Sequence, residues 1–260
     1  MSNIFTVSCR SAISKSTLPG LEYTFNPYVG CQHGCLYCYV PDVLRKPAVS
    51  SRWGESVHVK KNIVELLKSD LKKNHPGVVG VSTVTDPYQP VEKVLEITRQ
   101  SIAILEKNRF PVSVQTKSSL VTRDLDIIKG ELFDVGITIT SLENEFYRLF
   151  EPGASSPQER AQALEEVSSK VKNTWIFYGP IIPNFNNSIQ NIVEIVRLAE
   201  KTNSKIIYDR LNIRPLMSER LAKILSPSQI ETMKYYDWHK TFHMIEKVCI
   251  EQGVRCEPAF

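Results

Sequence analysis

A regular alternation of short apolar runs and amphipathic segments is the feature that most constrains the fold of this chain of 260 residues. Helical periodicity predicts helices over Lys60–Lys73, Val91–Leu105, Thr122–Ile128, Ser156–Val171 and Ile189–Val196. The apolar runs predict buried strands at Leu21–Phe25, Val78–Ser82, around Val112 and Val114, and at Val135–Thr140, Trp175–Tyr178 and Lys205–Leu211. Strands that alternate with helices predict about six βα units of one parallel sheet, with right-handed crossovers.

The two ends of the chain lack this alternation. Residues 1–20 are polar and predict an irregular N-terminal arm, and Val40–Glu55, which carries two prolines, predicts a loop. We therefore expect an N-terminal arm over residues 1–20, the main domain over 21–215 and a C-terminal helical extension over 216–260 that packs on it. In that extension Ser226-Pro227 is typical of a helix start, and one long helix is expected to end at Gly253.

Three of the six cysteines lie within eight residues, between the first two predicted strands. Cys31, Cys35 and Cys38 have the spacing C-x3-C-x2-C. Thiolates select iron–sulfur clusters, zinc or Cu(I), so three of them on one loop indicate a soft-metal site. A structural zinc site needs four protein ligands, and the incomplete set favours an open coordination position. A zinc loop of the CxxC type stays open as the alternative.

Composition and charge set the cellular context that we expect. The chain is 42% hydrophobic, has a formal net charge of +4 and a pI near 8.6, which permits an anionic partner without requiring one. No apolar run is long enough for a signal peptide or a membrane span, so we expect a cytoplasmic protein without membrane contact, and a monomer. Cytoplasmic thiols stay reduced, which favours metal binding by the clustered cysteines. Cys9, Cys249 and Cys256 are expected to be ordinary thiols.

Polar clusters follow the predicted strands at the points where the strands end. Parallel strands that curl into a barrel bring their carboxyl ends together, so these clusters predict one site beside the cysteine loop. Such a site could hold a zwitterionic cofactor that carries a ribose. A lysine can meet a carboxylate, hydroxyls can bond a ribose or an amino-acid portion, and an aromatic ring can pack on a purine. The candidate cofactor-binding residues are Tyr37, Thr85, Asp86, Lys117, Thr138 and Ser141.

The cysteine spacing, with Tyr37 directly before the third cysteine, resembles the signature of radical S-adenosylmethionine (SAM) enzymes. Further segments resemble the spore photoproduct lyase-like branch of that superfamily, whose members are often labelled DNA repair photolyases. These segments are Thr85–Pro90, Thr98-Arg99, Thr116–Ser118, Arg123–Leu125, Glu151–Ala154 and Pro180–Pro183. The similarity runs from about Tyr23 to the C-terminus.

This resemblance implies a fold, two cofactors and a reaction. The fold class is α/β, a partial (β/α)6 TIM-like barrel of parallel strands. Cys31, Cys35 and Cys38 would bind a 4Fe-4S cluster whose fourth iron chelates SAM. An external electron donor of the flavodoxin or ferredoxin type would reduce the cluster, and cleavage of SAM would give a 5′-deoxyadenosyl radical that abstracts hydrogen from a substrate. Thr85 and Lys117 match cofactor-contacting positions of the family, and Thr138 or Thr140 matches a hydroxyl contact.

Three classes of function follow. The first is a lyase-like radical SAM enzyme that acts on damaged nucleic acid, and the second is a radical SAM enzyme that acts on a small metabolite or a peptide. The third is a non-catalytic iron–sulfur or zinc protein. A basic run with an aromatic residue near the cysteine loop could track phosphates and stack on a base, although a solvated surface explains it as well. This run consists of Arg45, Lys46, Arg52, Lys60 and Lys61, with Trp53 among them.

One position departs from the resemblance. Spore photoproduct lyases carry a cysteine three residues before the aspartate of this motif, and its thiol returns a hydrogen atom to the repaired thymine. Here the aspartate is Asp86 and the matching residue is Thr83. An alcohol O–H bond is far stronger than a thiol S–H bond. We therefore expect a chain that cleaves SAM without clean repair of the spore photoproduct.

Overall fold

The main sheet of the computed structural model, which describes residues 2–259, has eight strands in the order β11-β10-β9-β8-β7-β6-β3-β2. All neighbouring pairs from β3 to β11 are parallel, and β2 pairs antiparallel with β3. The six predicted strands are therefore confirmed as one parallel sheet. The strands are β1 (Asn3–Val7), β2 (Ile13–Lys15), β3 (Tyr23–Phe25), β4 (Tyr28–Val29), β5 (Ser56–Lys60), β6 (Val79–Val81), β7 (Val112–Thr116), β8 (Gly130–Thr138), β9 (Val171–Ile181), β10 (Lys205–Arg210) and β11 (Cys256–Pro258).

Helices follow most of the parallel strands and cover one face of the sheet. They are α1 (Val40–Val43), α2 (Pro47–Ser50), α3 (Ile63–Leu71), α4 (Glu92–Leu95), α5 (Ile97–Lys107), α6 (Asn144–Phe150), α7 (Pro157–Ser168), α8 (Ile189–Lys201), α9 (Pro215–Leu221), α10 (Pro227–Lys234) and α11 (Trp238–Glu251), with a 3-10 helix at Ser119–Asp124. No helix among the described residues is both long and apolar enough to span a membrane.

Side chains alternate between the two faces of the sheet, as strand geometry requires. On β9, Ile176 and Tyr178 are fully buried in the main core with residues of α8 and α11, whereas Phe177 between them is only half-buried. On β10, Tyr208 is buried in the same core and its neighbour Asp209 is partly exposed. The outer face of the sheet therefore forms the core, whereas Phe177 and Asp209 on the inner face stay partly exposed.

The N-terminal arm is not irregular, and this expectation was wrong. β1 pairs in parallel with β5, which also pairs with β4 in a separate three-stranded sheet. β1 pairs through its backbone while its side chains stay exposed, with Ile4 51% and Phe5 46% accessible. Its sequence therefore lacks the alternation of apolar and polar residues that a half-buried strand shows. β5 begins directly after the expected loop, and α3 begins at Ile63 rather than at Lys60. Two short helices, α1 and α2, lie within that loop.

Two predicted helices were wrong in the middle of the chain. The helix expected over Val91–Leu105 is broken at Glu96, whose φ is +50°, because the buried carboxylate of Glu92 accepts hydrogen bonds from the backbone N–H groups of Thr98 (2.9 Å) and Arg99 (3.2 Å). The helix expected over Thr122–Ile128 is the 3-10 helix that ends at Asp124. The helix that begins at Ser156 has the expected capping box and ends at Ser168, so the residues up to Val171 lie outside it and Val171 starts β9.

The long helix expected from Ser226 to Gly253 is two helices, α10 and α11, and a strand follows them. The chain breaks at residues 235–237, where the Asp237 carboxylate accepts the His239 N–H (3.1 Å) and starts a new helix. After Gly253 the chain returns to the sheet as β11, which pairs with β10 at Ile206 and Cys256. The boundaries at residues 20 and 215 stay a prediction.

Candidate functional site

The cysteine loop, residues 31–38, follows β4 at the carboxyl end of the parallel strands. It begins after Gly30, whose φ is +95°. A Cβ atom on Gly30 would lie 2.3 Å from the carbonyl oxygen of Ser56, so only glycine fits at this position. Two tight turns fold the loop: the Gly34 N–H donates to the Cys31 carbonyl (3.3 Å) and the Cys38 N–H donates to the Cys35 carbonyl (3.2 Å). The local sequence thus places three cysteines on one compact turn.

All three loop thiols are free, and two of them are buried. Burial raises the pKa of the Cys35 thiol to about 12, and it also raises the pKa of Cys31 and of Cys38. The loop is therefore a thiol site that would lose its protons on binding a cation. Among residues 2–259, no three His, Cys, Asp or Glu side chains have the close arrangement of a single-ion site. A cluster offers a separate iron to each cysteine.

The segment after β6 holds the start of the loop. The Gly30 carbonyl accepts hydrogen bonds from the Thr85 hydroxyl (2.6 Å) and from the Gln89 side-chain amide (3.3 Å). The amide oxygen of Gln89 in turn accepts the N–H of Gln32 (2.9 Å). Gln89 is fully buried, and its amide also donates to Thr85 (2.9 Å). Thr85 therefore lies at the loop as predicted, and Gln89 is a second anchor to which we had assigned no role.

Asp86 connects the loop to the end of β7. Its carboxylate accepts hydrogen bonds from the Thr116 hydroxyl (2.7 Å), the Tyr88 N–H (2.9 Å) and the Lys117 N–H (2.9 Å). Nδ1 of the buried His33 lies 3.3 Å from Asp86 Oδ2, without the angle of a hydrogen bond. Burial alone would raise the pKa of Asp86, but His33, Thr116 and the Lys117 N–H lower it to about 2. Asp86 is thus a fixed anion that orients the loop histidine and the lysine backbone.

A fully buried ion pair lies beneath the middle of the loop. The Glu151 carboxylate accepts hydrogen bonds from the Tyr37 hydroxyl, the Arg160 guanidinium and the Thr140 hydroxyl (2.8 Å). Arg160 also donates to the carbonyl of Thr138 on β8 (2.9 Å). Burial would raise the pKa of Glu151, and the positive charges of Arg160 and Lys117 lower it below its usual value. Sequence reasoning had included Glu151 in a motif without a role, and had missed Arg160.

Lys117 and Tyr37 meet directly above this pair. The Lys117 amino group lies 5.5 Å from the centroid of the Tyr37 ring, within the range of a cation–π contact. Its positive charge opposes the rise in the pKa values of Cys35 and Cys38 that burial causes. Tyr37 is 4% exposed. The structure therefore brings a cation to the cysteine loop, and the stacking of Tyr37 on a purine stays a prediction.

Thr138 and Ser141 lie at the end of β8, and both hydroxyls have protein partners. The Thr138 hydroxyl accepts a hydrogen bond from the Gln115 side chain (3.1 Å). The Ser141 hydroxyl donates to Asn191 Oδ1 (3.0 Å) and accepts the Glu143 N–H (3.0 Å). Thr138 is connected to the loop through Arg160, whereas Ser141 is connected to α8. Their contacts with a cofactor stay predictions.

The third anchor of the loop comes from the C-terminal extension. The Arg220 guanidinium, on α9, donates to the carbonyl oxygens of Leu36 (3.2 Å) and Cys38. Asp42, just after the loop, accepts the N–H groups of Leu216 (2.8 Å) and Met217 (3.2 Å) at the start of α9. α9 is therefore fastened at its start to Asp42 of α1 and near its end to the cysteine loop. No motif in the sequence signalled this, because Arg220 is 184 positions from Leu36.

Comparison with known proteins identifies the family. The model of the Radical SAM superfamily matches residues 25–199. This chain belongs to the radical SAM superfamily. Its members use a 4Fe-4S cluster and SAM, and the expected cofactors are therefore confirmed at the level of the family.

Three related proteins extend this finding. The chain is 34% identical over 182 residues to Uncharacterized protein MJ0683 of Methanocaldococcus jannaschii, and the match covers 70% of this chain and 68% of that protein. It is 26% identical over 213 residues to the Radical SAM Nalpha-GlyT isomerase of Pseudomonas phage M6, covering 78% of this chain and 43% of the isomerase. A structure of spore photoproduct lyase complexed with dinucleoside spore photoproduct superposes with a TM-score of 0.75 at 16% identity, covering 99% of this chain and 82% of the lyase. That likeness confirms the fold class, a partial TIM-like barrel.

The donor set of the loop fits the cluster of this superfamily. Cys31, Cys35 and Cys38 are three free thiols on one turn, and thiolates are the ligands that iron–sulfur clusters require. Lys117 and the Arg220 guanidinium lie close enough to act on the thiols electrostatically. These cations offset part of the negative charge that three thiolates bring into a buried site.

Replacing any one loop cysteine should remove the cluster. For Cys31→Ala, Cys35→Ala and Cys38→Ala we expect loss of most of the bound iron and of the 4Fe-4S absorption after anaerobic reconstitution, because one iron loses its thiolate. Iron analysis and visible absorption spectra measure this. Cys9→Ala, Cys249→Ala and Cys256→Ala should keep the wild-type iron content. A full, stable cluster in Cys35→Ala would contradict the assignment.

Removing the Arg220 anchor should loosen the loop without removing a ligand. Hydrogen bonds from a charged group contribute roughly 1.5–3 kcal/mol, so Arg220→Gln should lower the melting temperature of the cluster-free protein and speed the loss of iron to a chelator. Arg197→Gln, an exposed arginine on α8, is the matched control and should behave as wild type. Equal rates of iron loss from Arg220→Gln and wild type would show that the anchor has no such effect.

Proposed function

We propose that this radical SAM protein is an enzyme that cleaves SAM reductively at a cluster held by Cys31, Cys35 and Cys38 and then abstracts hydrogen from a substrate. The observation that carries the proposal is the convergence at the loop of the three thiols, a lysine amino group and the strand ends after β6, β7 and β8. A protein that only stores a cluster would not need Lys117 at this position. When bound, the cluster and SAM supply the one-electron chemistry.

The residues around the loop have distinct roles in this proposal. Lys117 meets the carboxylate of SAM as a compact charge, since its amino group has no carboxylate partner among residues 2–259. In this proposal the hydroxyls of Thr85, Thr138 and Ser141 bond the ribose or the amino-acid portion of SAM. Asp86 has a positioning role, because it fixes His33 and the Lys117 backbone.

Damaged nucleic acid is the candidate substrate that we propose. The fold resembles that of a spore photoproduct lyase whose structure contains a dinucleoside lesion, and this likeness is the support for the choice. Arg45, Lys46 and Arg52 are exposed on the segment that follows the cysteine loop, and Gly54 of this segment packs on Gly34 of the loop. Exposed cations close to the loop would suit a phosphate backbone. An external reductant, of the flavodoxin or ferredoxin type in this proposal, completes the reaction.

Removing the Lys117 charge should weaken SAM binding while the cluster stays. A charge-assisted bond contributes roughly 1.5–3 kcal/mol, so Lys117→Ala should raise the Kd for SAM about 10- to 100-fold. Anaerobic titration of the reconstituted protein measures the Kd, and iron content confirms that the cluster remains. Lys172→Ala, an exposed lysine on β9, should bind SAM as wild type does. An unchanged Kd for Lys117→Ala would place SAM elsewhere.

The reaction with the spore photoproduct should be uncoupled. Thr83 lies after β6, where its hydroxyl accepts a hydrogen bond from the Asn26 side chain (3.4 Å) and its carbonyl accepts one from the Tyr39 hydroxyl (3.1 Å). A threonine O–H cannot return a hydrogen atom as a thiol does. Reduced protein, SAM and the isolated dinucleotide lesion should therefore release 5′-deoxyadenosine with little thymine.

Chromatography measures both products, and the ratio of thymine to 5′-deoxyadenosine tests this prediction. Multiple-turnover formation of thymine would overturn the prediction about Thr83 and would support lesion repair. Absence of 5′-deoxyadenosine under all reducing conditions would overturn the proposed function itself. Cys35→Ala is the control that should release neither product.

A further inference from the structure

Asp209 occupies the inner face of the sheet at the carboxyl end of β10. Its neighbour Tyr208 points outward, because the Tyr208 hydroxyl donates to Glu246 on α11 (2.7 Å). The pairing of β10 with β9 shifts register between Tyr208 and Arg210, and a close approach to Gly179 places Asp209 on the inner face. A Cβ atom on Gly179 of β9 would lie 3.3 Å from the Asp209 Cβ and 2.7 Å from the Phe177 ring. Asp209 and Phe177 therefore flank the same glycine on the inner face.

Among residues 2–259 the Asp209 carboxylate takes part in no ion pair. It accepts a hydrogen bond from the N–H of the next residue, Arg210 (2.8 Å). Lys205, on the same face of β10, is already paired with Glu257 of β11 (2.8 Å). Burial raises the pKa of Asp209, and Arg210 opposes that rise only in part. Partial burial of a carboxylate without a cationic partner costs free energy, which indicates that the carboxylate has a function.

Aromatic rings lie beside this carboxylate. Phe177 is half-buried, and its ring is in edge contact with Trp175, with centroids 6.4 Å apart and planes at 87°. Trp175 covers Gly136 and donates to the carboxylate of Asp134 (2.5 Å), so it is held in place. Phe177 thus places an aromatic ring beside a carboxylate that takes part in no ion pair among residues 2–259. An aromatic face beside a carboxylate is the pairing that recognises organic cations.

We propose that Asp209 and Phe177 form a substrate subsite that binds a cationic nitrogen group, an amidinium, guanidinium or ammonium, with its N–H groups on the carboxylate and its face or edge on the ring. This proposal rests on the proposed function, because it assigns to the inner face of the sheet the substrate of the same radical chemistry. It narrows that function to nucleic acid whose damaged base carries a positive charge, as an alkylated purine does. A phosphate would be repelled at this position, so an anionic backbone would have to lie outside the interior.

Two probes of nearly identical shape test the subsite. Benzamidine carries a planar cation on a phenyl ring, and benzamide is its neutral analogue. Calorimetric titration of the reconstituted protein with SAM bound should give a Kd for benzamidine about 10- to 100-fold lower than for benzamide, because only the cation forms a charge-assisted bond with Asp209. Asp209→Asn should remove this preference, and Phe177→Leu should weaken the binding of both probes.

The control variant is Asp126→Asn, an exposed carboxylate paired with Arg99 outside the sheet interior, and it should keep the wild-type preference. Asparagine at position 209 keeps an oxygen for the Arg210 N–H, so the fold should survive, and the melting temperature verifies this. Equal Kd values for the two probes, absence of benzamidine binding, or a preference retained in Asp209→Asn would each overturn the proposal. Binding of cytidine that depends on Asp209, without benzamidine binding, would assign the carboxylate to a neutral base amino group and would also overturn it.

The same preparations separate this proposal from the proposed function. Wild type and the control Asp126→Asn should both release 5′-deoxyadenosine slowly in the absence of substrate, since Asp126 pairs with Arg99 away from the inner face of the sheet. Release of 5′-deoxyadenosine by both proteins without selectivity between the probes overturns the subsite alone. Failure of the wild type to release it overturns the radical function, whatever the probes show.

Discussion

The hydrogen bonds that fasten the cysteine loop are the constraint on which the site depends. A tight turn of eight residues exposes carbonyl groups that have no partner within the turn, and burying them unsatisfied would cost free energy. The protein supplies donors from three separate segments: Gln89 with Thr85 after β6, the Gly153 N–H after α6 to the His33 carbonyl, and Arg220 on α9. The loop therefore has one conformation only when the rest of the chain has folded around it.

The two faces of the sheet have different roles: the outer face stabilises the fold, and the inner face carries side chains available for chemistry. The outer face carries fully buried residues such as Val114, Ile176 and Tyr208, which pack under the helices and form one continuous core. The inner face carries Gln115, Phe177 and Asp209, each partly exposed. Substitution of an outer residue leaves a cavity in the core, whereas an inner residue can change without that penalty. The same scaffold can therefore accept different substrates while its core is preserved.

The parallel sheet and the three cysteines could be predicted from sequence, and the physical reasons are local. Strands of a covered parallel sheet read as short apolar runs, and three closely spaced cysteines are the ligand type that iron–sulfur clusters require. Elements held by backbone pairing alone, such as β1, carry no such pattern, and β11 is only three residues long. The anchors of the loop escaped prediction because their partners are distant, 57 positions for Gln89 and 114 for the contact between Tyr37 and Glu151. In a sequence such polar side chains are typical of surface positions, and only the folded structure shows that they are buried.

The position of Arg220 sets the order in which the protein can mature. The loop leaves the ribosome early, together with the first strands, but its clamp on the carbonyl groups of Leu36 and Cys38 lies 184 and 182 residues later. During synthesis the three thiols are therefore present on an unfastened turn long before the last anchor exists. Iron delivered at that stage meets a loop without its final shape, so assembly of a stable cluster belongs to the completed chain rather than to the nascent one.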